Sequence, residues 1–216
     1  MRPGFRESLR FQLPLLAVLL GLLWYEEAFQ SFWALAVAWL IFLLIVAIAC
    51  FFRDPERLVP PDDKIIVAAA DGLVVGIEDV KETIFNLGPC KRVAIYLSVL
   101  DVHINRMPVA GKILKTIHKP GKFLDVRHPD CSLLNEYQAW HVETERGPVM
   151  VRQIAGLIAR RIVPWAKENE TLPRGARFGM IRFGSRTEIY LPRQCEILVK
   201  LGDRVSGASS PVARWP

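Results

Sequence analysis

Polarity is distributed unevenly along the chain. Residues 11–25 are apolar apart from Gln12, Pro14 and Gly21. Arg2, Arg6 and Arg10 precede this run, and Glu26 and Glu27 follow it. A second run, residues 32–52, holds no charge. Its 21 residues suffice to cross a hydrocarbon core of ~30 Å as a helix. The first run is short for a full span unless its flanks snorkel or it stands nearly upright. A signal peptide would need a small-residue cleavage site, and Trp24-Tyr25-Glu26-Glu27 is not one. The pattern predicts a transmembrane helical hairpin, with helices over 11–25 and 32–52 and the glutamates at the outer turn. Arginines at both open ends, Arg2, Arg6 and Arg10 with Arg53 and Arg57, put both ends in the cytoplasm. Trp24, Tyr25, Phe29 and Trp33 suit an interfacial belt. A single span with an interfacial first helix would place the rest of the chain on the other side.

From residue 53 the pattern changes. Pro55, Pro60 and Pro61 stop any helix. Short β-like runs follow at 65–68, 73–77, 92–97, 111–117, 140–144, 149–154, 188–191 and 196–200. Asp71-Gly72 between the first two reads as a tight turn. Residues 157–165 fit a short helix or an irregular crossing, and 167–175 a polar loop. The expected fold is mostly β, a compact antiparallel sandwich or barrel over 53–216 behind the 1–52 anchor.

Composition adds three exclusions. The net charge of +6 lacks the aromatic-interleaved basic stripe of a nucleic-acid binder and suits an anionic membrane surface. Cys50, Cys90, Cys131 and Cys195 form no CxxC pair, so free thiols are expected. His128-Pro129-Asp130-Cys131 is half of a metal site at most, and no metal is expected.

Three separated stretches carry candidate chemistry. Asp71 sits in the Asp-Gly turn, where an aspartate usually bonds its own backbone. In extended chain Asp101 and His103 share a face, with Arg106 close behind. Histidine exchanges protons near pH 7, and a carboxylate can orient it. A solvated strand end with a satisfied histidine is the alternative. Gly184-Ser185, between Met180-Ile181 and Ile189-Tyr190-Leu191, is an ordinary hairpin or bulge, or a serine within reach of the preceding carbonyl.

Phe51–Arg57, Ala70-Asp71-Gly72, the run from Asp101 to Pro108, Gln153-Ile154-Ala155-Gly156 with Arg160-Arg161-Ile162, and Arg182-Phe183-Gly184-Ser185 occur in this order. The series resembles the phosphatidylserine decarboxylase proenzymes, in their short, membrane-anchored, archaeal-type branch. The resemblance implies autocatalytic cleavage at Gly184-Ser185 into a β chain 1–184 and an α chain 185–216. It implies that Ser185 becomes a covalent pyruvoyl group, an electron sink for decarboxylating phosphatidylserine to phosphatidylethanolamine. Asp71, Asp101 and His103 match positions implicated in self-cleavage and proton transfer. Longer members carry a second histidine where this chain has Arg106, which leaves the self-cleavage base open. Arg106 then suits an anionic phosphate or the substrate carboxylate, and His128 a rim position contacting substrate. The implied setting is the cytoplasmic side of the cell membrane, with the two chains staying associated and a homodimer compatible. The competing functions are a catalytically inactive, membrane-tethered β binding module and a serine hydrolase using Ser185. The hydrolase lacks a G-x-S-x-G elbow.

Overall fold

The computed structural model describes residues 2–126, 128, 130–157, 161–182 and 185–216. The chain divides into two compact units, Met1–Pro55 and Glu56–Pro216.

The first unit is a pair of helices, α1 (Pro3–Phe29) and α2 (Phe32–Phe51), packed side by side. Both are long and apolar enough to cross a membrane. α1 is longer than the expected 11–25 at both ends. Pro3 lies in its first turn, where a missing N–H costs nothing, and the arginines and glutamates beyond the apolar run are good helix formers. Gln30 ends it in the left-handed conformation, donating its N–H to Glu26 O. Ser31 Oγ then accepts from Ala34 N to start α2.

The second unit is built of short strands. These are β1 (Ile65–Val67), β2 (Gly72–Glu82), β3 (Gly88–Leu97), β4 (Ile104–Arg106) and β5 (Gly111–Lys119). The short helix α3 (Cys131–Leu134) separates them from β6 (Tyr137–Thr144), β7 (Gly147–Ala155) and β8 (Arg161–Pro164). Next come β9 (Thr171–Leu172), β10 (Arg177–Arg182) and β11 (Ser185–Pro192). Last are β12 (Glu196–Ile197), β13 (Arg204–Val205) and β14 (Pro211–Arg214). An eight-stranded antiparallel sheet runs β13-β2-β3-β11-β7-β6-β5-β9, flanked by three-stranded sheets β4-β10-β8 and β1-β14-β12. The mostly β fold with two apolar N-terminal helices is therefore as expected.

Three local expectations are corrected. Asp71-Gly72 does not close a hairpin, because β1 pairs with β14 while β2 pairs with β3 and β13. Residues 161–164, within the stretch expected as a short helix or an irregular crossing, are strand, held by β10. Met180-Ile181 and Ile189-Tyr190-Leu191 are not hairpin partners, since β10 and β11 belong to different sheets.

β11 runs through the middle of the large sheet and is buried on both faces. Ile189 and Leu191 join Val93, Ile95, Leu97, Val149 and Val151 in the main core, where Trp140 meets Phe178 edge to face at 4.9 Å. Ser185 pairs with Leu97 on one side and Ala155 on the other, and Leu73 pairs with Tyr96. The start of β2, the end of β3, the start of β11 and the end of β7 therefore lie together at one end of the sheet.

Gly72 makes this end close. Its φ of +149° is rarely adopted by L side chains, and a Cβ there would fall 2.0 Å from Tyr96 O. Gly72→Ala is expected to cost about 3 kcal/mol or more, lowering the melting temperature by roughly 6–12 °C. Gly202→Ala, at φ +89° in open space, should cost only about 1 kcal/mol. Thermal unfolding of the two variants in detergent would test this; equal losses would contradict the close approach.

Candidate active site

The corner where β10 gives way to β11 is the centre of the site. Gly184 lies outside the described residues. Ser185 opens β11 fully buried, and its Oγ has no hydrogen-bond partner among the described residues. Its side chain shares a face with Thr187, two residues on.

β4 reaches this face from the flanking sheet. It pairs with β10, and Ile181 N donates to His103 O just ahead of the crossing. Asn105 Oδ1 accepts from Thr187 Oγ1 at 3.0 Å and from Gln153 Nε2 at 2.6 Å. From this contact both chains run back toward the crossing, β4 to His103 and β11 to Ser185. Gly179 leaves room for the Gln153 amide, since a Cβ there would lie 3.0–3.1 Å from its polar atoms.

His103 is fully buried, and its Nδ1 lies 2.9 Å from Asp101 O. A carbonyl accepts only, so Nδ1 carries a proton, and in the neutral ring Nε2 is the acceptor nitrogen. This corrects the expected carboxylate–imidazole pair. Residues 101–103 lie outside any strand. The Asp101 carboxylate instead closes a turn, accepting from Ser98 N and Ser98 Oγ, and its other oxygen meets Arg204. Backbone rather than carboxylate orients the ring.

Asp71 stands at the same sheet end, before β2. One oxygen meets Arg57 Nη2 at 2.5 Å and the other accepts from Gly207 N at 2.8 Å. Neither bonds to His103. Arg106 is buried in β4; its N donates to Ala69 O and its Nη1 to Gly175 O. His128 is half-exposed and engages Asp130. Asp71, Asp101 and Ser185 thus lie toward one end of the large sheet, His103 precedes β4 beside the end of β10, Arg106 stands at the other end of β4 opposite the start of β10, and His128 is joined to none of them by a polar contact. No cluster of metal-ligating side chains occurs among the described residues.

The opposite face of β11 holds a charge cluster not anticipated from sequence. Glu188, fully buried, meets Arg152 Nη2 at 2.5 Å, Arg186 Nε at 2.9 Å and Arg92 Nη1 at 3.7 Å. Ser132 Oγ and Tyr190 OH each donate to it at 2.7 Å. Burial alone would raise the Glu188 carboxyl, but the three guanidinium charges and the tyrosine bond outweigh it and hold it at about 2. Tyr190 is pushed up by burial and by that same carboxylate. Strand alternation could have flagged Arg186, Glu188 and Tyr190 as one face, but their burial depends on what covers that face.

Comparison with known proteins decides the family. The family model for phosphatidylserine decarboxylase matches residues 46–213, well over half of the chain. The chain belongs to the phosphatidylserine decarboxylase family. It is 45% identical over 166 residues to the phosphatidylserine decarboxylase proenzyme of Syntrophus aciditrophicus, covering 76% of this chain and 78% of that one. It is 40% identical over 198 residues to that of Carboxydothermus hydrogenoformans, covering 91% and 92%. The proenzyme of Symbiobacterium thermophilum is 44% identical over 188 residues, covering 85% and 87%. The matched region includes the whole site of this family member.

The Glu188 cluster predicts a specific acid response. A folded value near 2, below the unfolded value near 4.5, contributes stability that is present above pH ~4.5 and lost as pH falls toward ~2. The shift corresponds to about 3 kcal/mol. Glu188→Gln should lower stability at neutral pH and flatten the pH dependence across that window. Melting temperatures measured from pH 7 to pH 2 would show it; an unchanged acid limb in the variant would count against the cluster.

Proposed function

We propose that the chain is a proenzyme that cuts itself between Gly184 and Ser185 and then decarboxylates phosphatidylserine to phosphatidylethanolamine. The carrying observation is the Ser185 hydroxyl, fully buried and without a hydrogen-bond partner among the described residues, at the start of β11 in a chain of this family. A buried hydroxyl without a partner is costly unless the position serves chemistry.

In the first stage Ser185 Oγ attacks the Gly184 carbonyl carbon, and the peptide bond becomes an ester. His103 Nε2 takes the hydroxyl proton, with Nδ1–H held by Asp101 O. Loss of the Ser185 α-proton then expels the 1–184 chain as a carboxylate. Addition of water and departure of the nitrogen as ammonia leave a pyruvoyl group on the 185–216 chain. The site fits that group: no hydrogen bond among the described residues holds Ser185 Oγ as a hydroxyl, and Leu97 and Ala155 flank it as cross-strand neighbours with apolar surface. When formed, the pyruvoyl group supplies the electron sink for loss of CO2. In the second stage His103 Nε2 is the buried group available to return a proton to the substrate carbon. Arg106 contributes positive potential for the anionic headgroup, and Asp71, fixed by Arg57 and Gly207, holds the base of β2 against it. His128, half-exposed beside Asp130, takes no part in these steps.

The 32-residue fragment is not expected to leave. β11 is hydrogen-bonded to β3 over its full length and to β7 over most of it. The apolar helix pair would hold the enzyme at the bilayer that contains its substrate, on the cytoplasmic side by the arginine distribution.

Purified protein should give two chains on a denaturing gel and one particle before denaturation. The 185–216 fragment should lack a free amine and show the mass of a pyruvoyl terminus. Ser185→Ala should stay a single inactive chain. His103→Ala should slow cleavage by about 10²-fold or more. An intact wild-type chain retaining its Ser185 hydroxyl would exclude this function.

A further inference from the structure

Beside Ser185 Oγ, two more buried polar atoms at this corner have no hydrogen-bond partner among the described residues: Asn105 Nδ2 and Gln153 Oε1. Both side chains are fully buried. Their remaining polar atoms are already committed. Asn105 Oδ1 receives Gln153 Nε2 and Thr187 Oγ1, and these bonds fix both amide planes. Turning both amides over would exchange the residues but would still leave one N–H donor and one carbonyl acceptor unspent. The pair cannot satisfy itself. A buried donor and acceptor left open together are costly, and their place on the Ser185 face gives them a use.

The geometry points to the Asn105–Gln153 amide pair as the subsite for the α-amino carboxylate of the serine headgroup, an assignment that rests on the function proposed above. The amide N–H donates to the carboxylate, and the amide carbonyl accepts from the adjacent nitrogen. The complementarity is specific: amine and carboxylate sit on one carbon, as the open donor and acceptor sit on one hydrogen-bonded amide pair. Thr187 acts as a positioning residue, because its hydroxyl pins the Asn105 oxygen and so fixes which amide atom, the nitrogen, stays unspent. Gly179 is the space into which the Gln153 amide fits.

The neutrality of this cradle has a chemical consequence. A carboxylate held by an amide, with Leu97 and Ala155 as neighbours of the reacting position, is stripped of water without full charge compensation. Its charge spreads into the electron sink as CO2 departs, so the transition state is favoured over the bound ground state. An arginine in the same place would stabilise the carboxylate and oppose its loss.

The test uses full-length, processed protein in mixed micelles and two unreactive lipids. One is a phosphatidyl-3-hydroxypropionate, which keeps the carboxylate and lacks the amine. The other is phosphatidylpropanol, which lacks both. Wild type should bind the carboxylate lipid more tightly by about tenfold to hundredfold, the range for one hydrogen bond to a charged group. Asn105→Leu and Gln153→Met should each reduce that preference while leaving phosphatidylpropanol binding within about twofold, a split that general loosening would not produce. A variant that does not process is compared as its Ser185→Ala precursor with the Ser185→Ala parent. Failure of wild type to cut at 184–185 removes the proposed function itself. Cutting without a carboxylate preference, or with a preference that survives in both variants, overturns the subsite alone.

Discussion

One carboxamide oxygen, that of Asn105, ties the short flanking sheet to the large one. It draws donors from β7 and β11 at once, through Gln153 and Thr187. β4 has only three residues and pairs only with β10, and this tie adds a direct side-chain link to the large sheet beside the Arg106 N–Ala69 O bond and the packing of β10 on Trp140. With it, His103 and Ser185 are both directed to the corner where the chain crosses between sheets. Gly179 is part of the same constraint, since any side chain there would press on the Gln153 amide.

The two faces of β11 divide the labour. The face with Ser185 and Thr187 carries the reacting group and the open amide atoms. The other face carries Glu188 among Arg92, Arg152 and Arg186, drawn from the three central strands β3, β7 and β11. Removing one partner from such a buried cluster leaves uncompensated charge, so it holds the three strands in one arrangement even where its net stabilisation is small. Under the proposed cleavage before Ser185, that hold would matter more, because lateral ladders and packing would then retain the strand.

Much of the architecture was legible because it rests on short-range signals. Residues 32–52 could hardly be anything but an apolar helix, and the runs at 92–97 and 149–154 fall within the central strands β3 and β7. The Asp-Gly signal at 71–72 misled because the same dipeptide serves a close strand crossing, where the partner that excludes a Cβ is Tyr96, remote in sequence. β4, β8 and β10 were missed or left open, since each is a short piece whose pairing comes from distant residues. At the site, His103 and Ser185 were identifiable by residue type and order. Asn105, Gln153 and Thr187 were not, because amides and hydroxyls gain meaning only from which of their atoms remain unspent.

The sequence by itself determined the apolar anchor, the β character of the remainder, the family resemblance and the order of the reactive residues. These follow from local composition and from residue types that few chemistries use together. Only the tertiary structure decided that a backbone carbonyl, not the Asp101 carboxylate, sets the His103 ring, that Asp71 is taken by Arg57 and Gly207, and that β10 and β11 belong to different sheets rather than to one hairpin. Those outcomes depend on hydrogen-bond partners brought together by long-range pairing, and the competition among partners is settled only when the whole sheet has formed.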